Sequence, residues 1–346
     1  MTILRVEAGD QGHDVIIGPL TDAPPGILIT DEKIWALHGA ALPAAADPIL
    51  VPEGEAAKDW QTLAGIVDEL ARRNATRDTA IIAFGGGSIG DVAGLAASLF
   101  KRGCPLVHVP TTLVAQVDSA IGGKTAIDAA GVKNLVGTFH LPALVLCDPA
   151  FLLTLDRRQL RAGYAELIKY GLVDDPAMFA WCEAHAGDLL DGDLDLLGEG
   201  VAKAVAAKAR FVADDLRDLK GTRALLNFGH TFGHAIEAAS GFGPVLHGEA
   251  VAIGMALAFQ LSTELGLCPA DEMERAFTHL RSVGVPTTLA EAGLDGRAPD
   301  LLALMARDKK AGASGLALIL TRGIGKAFVS RDVGSDRLAQ FLERAD

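Results

Sequence analysis

Through the first half of the chain, short apolar runs rich in Val, Ile and Leu recur between Gly, Pro, Asp and Thr: HDVIIG, GILIT, DPILVP, TAIIAF, LVHVP and ALVLCD. Runs of this length with such borders read as strands. Helical patterns stand between several of them, at residues 60–74 and 91–101. That alternation predicts a mostly parallel sheet with helices on its faces. After Pro149 the texture changes, and residues 157–172, 176–190, 194–215, 230–239, 248–265 and 271–283 each read as helix. The pattern therefore predicts an α/β chain in two parts. Residues 1–150 form an N-terminal Rossmann-like domain with a mostly parallel sheet, and residues 151–346 a mainly α-helical C-terminal domain. No internal repeat interrupts this order.

Composition narrows the class of protein. The chain has 346 residues, half of them hydrophobic, which supports a real core and suits two domains. A formal net charge of −13 disfavours nucleic acid or an anionic membrane surface as partner. Cys104, Cys147, Cys182 and Cys268 are scattered, so neither a disulfide framework nor a thiolate zinc site is expected. The opening MTILRVEAGDQGHDV has no basic start before an apolar stretch, so no secretory leader is expected. The apolar segment 250–261 is too short for a span of ~20 residues. A cytoplasmic protein with reduced thiols is the expectation.

Ile81-Ile82-Ala83-Phe84 runs into Gly85-Gly86-Gly87-Ser88-Ile89-Gly90-Asp91. This is strand, glycine-rich turn, then helix, with Gly85, Gly87 and Gly90 at G-x-G-x-x-G spacing. Such a turn lets backbone N–H groups and a helix N-terminus meet a pyrophosphate. A purely structural turn gives the same pattern. The acidic residue that a Rossmann site carries ~20 positions on is missing, because the next strand ends in Val109-Pro110-Thr111-Thr112. A variant nucleotide fold fits better. Upstream, Glu55 and Lys58 suit either ribose contacts or a plain capped loop before a helix.

Asn227-Phe228-Gly229-His230-Thr231-Phe232-Gly233-His234 sets two histidines at i and i+4, on one helical face. Thr231 follows His230, so the base of a zincin protease is absent. His247 stands just before a further helix, and Glu166 lies in an otherwise apolar one, where a carboxylate needs partners or a function. Imidazoles with a carboxylate suit a catalytic divalent metal. Each histidine taken singly also fits a satisfied core position, and spacing alone leaves both readings open.

Gly122-Gly123-Lys124-Thr125 ends like a Walker loop, but Asp118 stands where its first glycine belongs. An ATPase is rejected. Lys124 and Lys133 near Asn134, with Arg102 upstream, instead suggest a grip on a carboxylate or phosphate of a small substrate.

Together the segments GGGSIGDVAG, VPTTLVAQVDSAIGGKT, KNLVGTFHLP, GYAELIKYG, LLNFGHTFGHAIEA and LHGEAVAIGM resemble, in order, those of the 3-dehydroquinate synthase family within the sugar phosphate cyclases. The resemblance covers about residues 50–260. It implies an N-terminal NAD-binding domain and a C-terminal metal- and substrate-binding one. It implies Glu166, His230 and His247 as ligands of zinc or cobalt. Asp31, Glu55, Lys58, Gly86, Gly87, Asp91, Thr111 and Thr112 look like NAD contacts, with Lys133 close by. Asp118, Lys124, Asn134, Lys169, Lys208, Arg223, Asn227, His234 and one of Lys309 or Lys310 match the substrate pocket, His234 as an acid/base group. Arg102 matches an arginine donated across a homodimer interface. The substrate implied is 3-deoxy-D-arabino-heptulosonate 7-phosphate, which NAD, regenerated at each turnover, and the metal help close into a carbocycle in the shikimate pathway of aromatic amino acid biosynthesis.

Some residues depart from the family. Before Arg223 it reads Asp-Glu-x-Glu-x-Gly-x-Arg, whereas this chain reads DLRDLKGTR from Asp215, so Leu216 replaces an acid and Asp218 is taken as the second. Asp128 stands where many members have Asn. Rival readings are an inosose- or valiolone-making cyclase, a zinc- or iron-dependent polyol dehydrogenase of similar fold, and a non-catalytic homologue. The glycine pair Gly122-Gly123 argues against an inosose synthase, and intact Glu166, Lys169, His230, His234 and His247 argue against loss of catalysis.

Overall fold

The computed structural model describes every residue except 10, 22–24, 43–46, 242, 308–315 and 346. The chain divides into two compact units, Met1–Asp156 with Gly192–Leu219, and Arg157–Asp191 with Lys220–Asp346.

The first unit contains β1 (Thr2–Ala8), β2 (Gln11–Ile17), β3 (Gly26–Thr30), β4 (Ile49–Leu50), β5 (Ala80–Gly85), β6 (Leu106–Pro110), β7 (Lys124–Ala129), β8 (Val132–Phe139) and β9 (Leu144–Cys147). Seven of these make one sheet in the order β1-β2-β9-β6-β5-β3-β4, while β7 and β8 form a separate hairpin. Only the β1–β2 pair in the large sheet is antiparallel. The expected mostly parallel sheet is therefore present.

The run Ile81–Phe84 shows why its strand is apolar throughout. Ile81 and Ala83 pack in one cluster with Leu63, Ile66 and Leu70 of α2 (Trp60–Arg72) and with Ile89 and Val92 of α3 (Gly87–Leu99). Ile82 and Phe84 pack on the other face with Phe151 and with Ile34 and Trp35 of α1 (Glu32–His38). A parallel strand covered on both faces has no solvated side to alternate with. α2 starts where the Asp59 carboxylate accepts from the Thr62 N–H at 2.7 Å, a side-chain cap of the usual kind. α3 begins earlier than the sequence pattern suggested, since Gly87 to Gly90 form its first turn.

The second unit is mainly helical, as expected for that part of the chain. It holds α4 (Arg157–Val173), α5 (Pro176–Leu190), α7 (His230–Ala239), α8 (His247–Glu264), α9 (Ala270–Ser282), α10 (Ala298–Arg307) and α11 (Ser335–Leu342), with a two-stranded ribbon of β10 (Leu318–Thr321) and β11 (Ala327–Ser330). The intervening α6 (Leu194–Asp214) belongs to the first unit, where it packs on β1. α8 is buried almost all round, the signature of a central helix, and α4, α7 and α9 lie against it.

Two glycines let these helices approach. A methyl group added at Gly248 would stand 1.8 Å from the Ala162 carbonyl oxygen of α4. Gly229, at φ 81°, caps α7 in the left-handed region, and a methyl there would stand 2.6 Å from the Val251 carbonyl oxygen of α8. Backbone lies in the way in both cases, so no side-chain rotation relieves the clash. Gly248→Ala is therefore expected to destabilise the protein by about 3 kcal/mol or more, measured by urea unfolding. A loss below about 1 kcal/mol would show that α4 and α8 are not held this closely.

Candidate metal centre and nucleotide corner

The close packing of α4, α7 and α8 brings three side chains to one point. Glu166 is fully buried on α4, His230 opens α7 and His247 opens α8. One oxygen of each carboxylate or one nitrogen of each ring lies within 4.8 Å of the others. Both histidines turn Nε2 to the same Glu166 oxygen, His230 at 3.6 Å and His247 at 3.3 Å. Two ligands of a tetrahedral ion bound at ~2.0–2.2 Å stand roughly 3.3–3.6 Å apart. The spacing is thus that of a coordination shell.

The opposite ring nitrogens are also engaged. His230 Nδ1 lies 3.3 Å from the Phe228 carbonyl oxygen, and His247 Nδ1 lies 3.1 Å from the Glu237 carboxylate. Both partners only accept when Glu237 is ionised, so each Nδ1 carries the proton. For His230 that leaves the Nε2 lone pair facing Glu166. Metal-bound histidines are commonly held in this way. Electrostatics agrees with a cation site. Burial, and then the Lys169 charge, hold His230 well below its ordinary pKa and so neutral. At His247 burial opposes charge, but the carboxylates of Glu166 and Glu237 outweigh it and hold the ring at about 10. The donor set fits a divalent metal.

Lys169 is buried and places Nζ 2.5 Å from Glu166 Oε2. The His234 ring, one turn beyond His230, centres 5.5 Å from that ring and 6.3 Å from the His247 ring. Arg223 is buried, and Asn227 Nδ2 donates to the Ala224 carbonyl at 3.1 Å. Glu237 escaped the sequence reading. His230, His234 and Glu237 stand at i, i+4 and i+7, one face of α7, and a buried carboxylate in line with two histidines is the signal that could have found it.

In the first unit, three adjacent parallel strands β3, β5 and β6 end side by side. Asp31 follows the first, Gly86 and Gly87 the second, and Thr111 and Thr112 the third. Carboxyl ends of neighbouring parallel strands are where α/β sheets bind nucleotides, and the N-terminus of α3 at Gly86 offers backbone N–H groups to phosphate. Asp31 accepts from the Ile34 N–H at 2.7 Å and so caps α1.

Beside this edge lies a charged cluster. Lys58 is buried, donates to Asp91 Oδ2 at 2.7 Å and to Asn134 Oδ1, and lies 3.7 Å from Glu55. Ser88 Oγ donates to Glu55 at 3.0 Å, and Lys133 approaches the same carboxylate at 3.5 Å. Burial pushes the Asp91 carboxyl up despite Lys58. Burial also works against charge on Glu55, but Lys58 and Lys133 hold it below its ordinary value.

Two further pairs form in the same unit. Buried Lys208 donates to Asp118 Oδ1 at 2.6 Å, and Lys124 lies 3.1 Å from Asp218. Arg102 is exposed at a corner where Lys101, Arg102 and Gly103 all have positive φ. Lys309 and Lys310 lie outside the described residues.

A family model described as 3-dehydroquinate synthase N-terminal matches residues 48–162, and one described as 3-dehydroquinate synthase C-terminal matches residues 163–311. A protein named 3-dehydroquinate synthase from Zymomonas mobilis subsp. mobilis is 49% identical over 327 residues, covering 92% of this chain and 86% of its own. One of the same name from Caulobacter vibrioides is 46% identical and covers 97% of both. Among solved structures, ValA (2-epi-5-epi-valiolone synthase) from Streptomyces hygroscopicus subsp. jinggangensis, with NAD+ and Zn2+ bound, superposes with a TM-score of 0.88 at 30% identity over 99% of each chain. A 2-deoxy-scyllo-inosose synthase complexed with carbaglucose-6-phosphate, NAD+ and Co2+ gives 0.85 at 26% identity over 99% of this chain and 100% of its own. Glycerol dehydrogenase from Schizosaccharomyces pombe, at 16% identity and a TM-score of 0.66 over 96% of this chain and 88% of its own, shares the fold alone.

Glu237→Ala is expected to weaken zinc affinity roughly 10–100-fold with the fold intact, read by competition with a chromophoric chelator. Unchanged affinity would show that the contact with His247 has no part in holding the ion.

Proposed function

The chain belongs to the 3-dehydroquinate synthase family, and from that premise we infer that it converts 3-deoxy-D-arabino-heptulosonate 7-phosphate to 3-dehydroquinate and inorganic phosphate. The observation that carries this reading is 46% identity along nearly the whole of both chains to a protein of that name. The valiolone- and inosose-making cyclases share the fold at lower identity, 30% and 26%, so sequence kinship favours the heptulosonate reading over theirs. The reaction is a phosphate-eliminating carbon–oxygen bond cleavage followed by carbocycle closure.

When bound, NAD would supply a hydride acceptor and zinc or cobalt would supply Lewis acidity at substrate oxygens. In the second unit Glu166, His230 and His247 would hold the metal. Glu237 and the Phe228 carbonyl keep the two rings in the tautomer that faces it. Lys169 keeps a positive charge against Glu166 in the helix core. His234, on the same face of α7 as His230, is the candidate to move protons to and from substrate oxygens. Arg223 and Asn227 of this unit are assigned to substrate binding.

In the first unit, Gly86 and Gly87 at the start of α3 would offer backbone N–H groups to the nucleotide's phosphates. Asp31, Glu55, Lys58, Asp91, Thr111, Thr112 and Lys133 border that position. Lys124, Asn134, Asp118 and Lys208 are assigned to the sugar phosphate. The lysines supply cations for its carboxylate and phosphate in a chain that is otherwise acidic. Asp218, 3.1 Å from Lys124, is assigned the role of the family's second acid.

We read the protein as cytoplasmic and homodimeric. Its four cysteines are buried and form no disulfide, as a reducing compartment favours. Two successive non-glycine residues at positive φ, Lys101 and Arg102, are costly backbone. The corner they form leaves Arg102 exposed to reach a second copy.

Purified protein supplied with the heptulosonate phosphate, NAD and zinc should release one phosphate per dehydroquinate formed, with no net NADH. NADH accumulating in step with substrate loss would make it a dehydrogenase. Absence of phosphate release with metal restored would overturn the assignment.

A further inference from the structure

The hairpin of β7 and β8 is irregular at one place. Ile127 pairs with Val136 and Ala129 with Val132, so Lys133, Asn134 and Leu135 all face Asp128 alone. Such bulges bend a strand and re-aim its side chains, and they concentrate beside functional sites. Asn134 sits within this one in the left-handed region, at φ 52°.

Asp128 is what closes the bulge. Its Oδ1 accepts the Asn134 backbone N–H at 2.7 Å, and its own N–H donates to the Lys58 carbonyl oxygen at 2.8 Å. Lys58 then reaches back with Nζ to Asn134 Oδ1. The result is a closed ring of contacts from Lys58 main chain to Asp128, to Asn134 main chain, to Asn134 side chain, and back to Lys58. The ring fixes the Asn134 amide. An ammonium group has donors only, so the amide must turn its oxygen to Lys58, and its Nδ2 donors point the other way.

We propose that Asp128 is a positioning residue that locks the Asn134 amide nitrogen outward as a hydrogen-bond donor to an oxygen of the sugar phosphate, and couples that donor to the Lys58 corner of the nucleotide site. This rests on the functional reading above for the identity of the ligands. The geometry of the ring stands without it. Asparagine at position 128 keeps an oxygen that can accept the same N–H, whereas alanine does not. Loss of the acceptor frees Asn134 to leave the left-handed conformation, which asparagine tolerates but does not prefer.

The test compares Asp128→Ala, Asp128→Asn, Asn134→Ala and the double variant Asp128→Ala/Asn134→Ala, each loaded with NAD and zinc. Wild-type phosphate release is measured first and judges the functional reading separately. Asp128→Ala is expected to raise KM for the heptulosonate phosphate about tenfold or more, with a smaller change in kcat. Asp128→Asn should restore KM to within about threefold of wild type. The double variant should be no worse than Asn134→Ala, because Asp128 acts through that residue. Hydrogen exchange at the Asn134 amide, followed without any substrate, should quicken in Asp128→Ala and not in Asp128→Asn. The proposal is overturned by an Asp128→Ala enzyme with unchanged KM, by equal damage from Asn and Ala, or by additive losses in the double variant. It is equally overturned if Asn134 exchange is unchanged in Asp128→Ala, whatever the turnover.

Discussion

A carboxylate with no exposure to water governs the second unit. Glu166 is 0% exposed in a helix whose neighbours Tyr164, Leu167, Ile168 and Tyr170 are equally buried. An ionised carboxylate taken from water into such surroundings is strongly unfavourable unless positive charge meets it. Lys169 supplies one charge from the next turn. The two imidazole Nε2 atoms mark where a second cation fits. Replacing Glu166 and Lys169 with apolar residues would make an easier core, so their presence points to chemistry rather than stability.

The helices around that carboxylate are arranged to serve it. Gly248 lets α8 start against α4, and Gly229 lets α7 start against α8. Both approaches place a histidine at or beside the first turn of its helix, where it leans toward Glu166. Glu237 and the Phe228 carbonyl then set the ring protons. The first unit works by a different device. Three parallel strands end in register, and the residues after them gather at one edge. The Lys58 cluster ties the 3-10 turn at Gly54–Ala57 to α3 and to the β7–β8 hairpin.

Much of this was legible in the sequence, for physical reasons. Strands covered on both faces are continuous apolar runs, and β3, β5, β6 and β9 announce themselves that way. β1 does not, because it is an edge strand whose burial alternates, and it resembles ordinary exposed chain. The β7–β8 hairpin carries lysines, an asparagine and a bulge, so its pattern reads as loop. α6 is plain as a helix, but periodicity says only that a face is covered, not what covers it, and α6 packs in the first unit. At the metal centre, local spacing pairs His230 with His234. Which of them shares an ion with the distant His247 and Glu166 is a matter of helix packing, and only the family resemblance singled out His230. Glu237 was within reach through its i+7 relation to His230. Asp128 stands out in the sequence as a departure, but its partner Asn134 becomes apparent only with the bulge.

Zinc K-edge X-ray absorption on the zinc-loaded protein tests directly whether Glu166, His230 and His247 chelate one cation. One site per chain is expected, with two imidazole nitrogens and at least one oxygen at ~2.0–2.2 Å, lost together with the metal in His247→Ala. A spectrum fitted by sulfur or by water oxygens alone, or one that His247→Ala leaves unaltered, would contradict it.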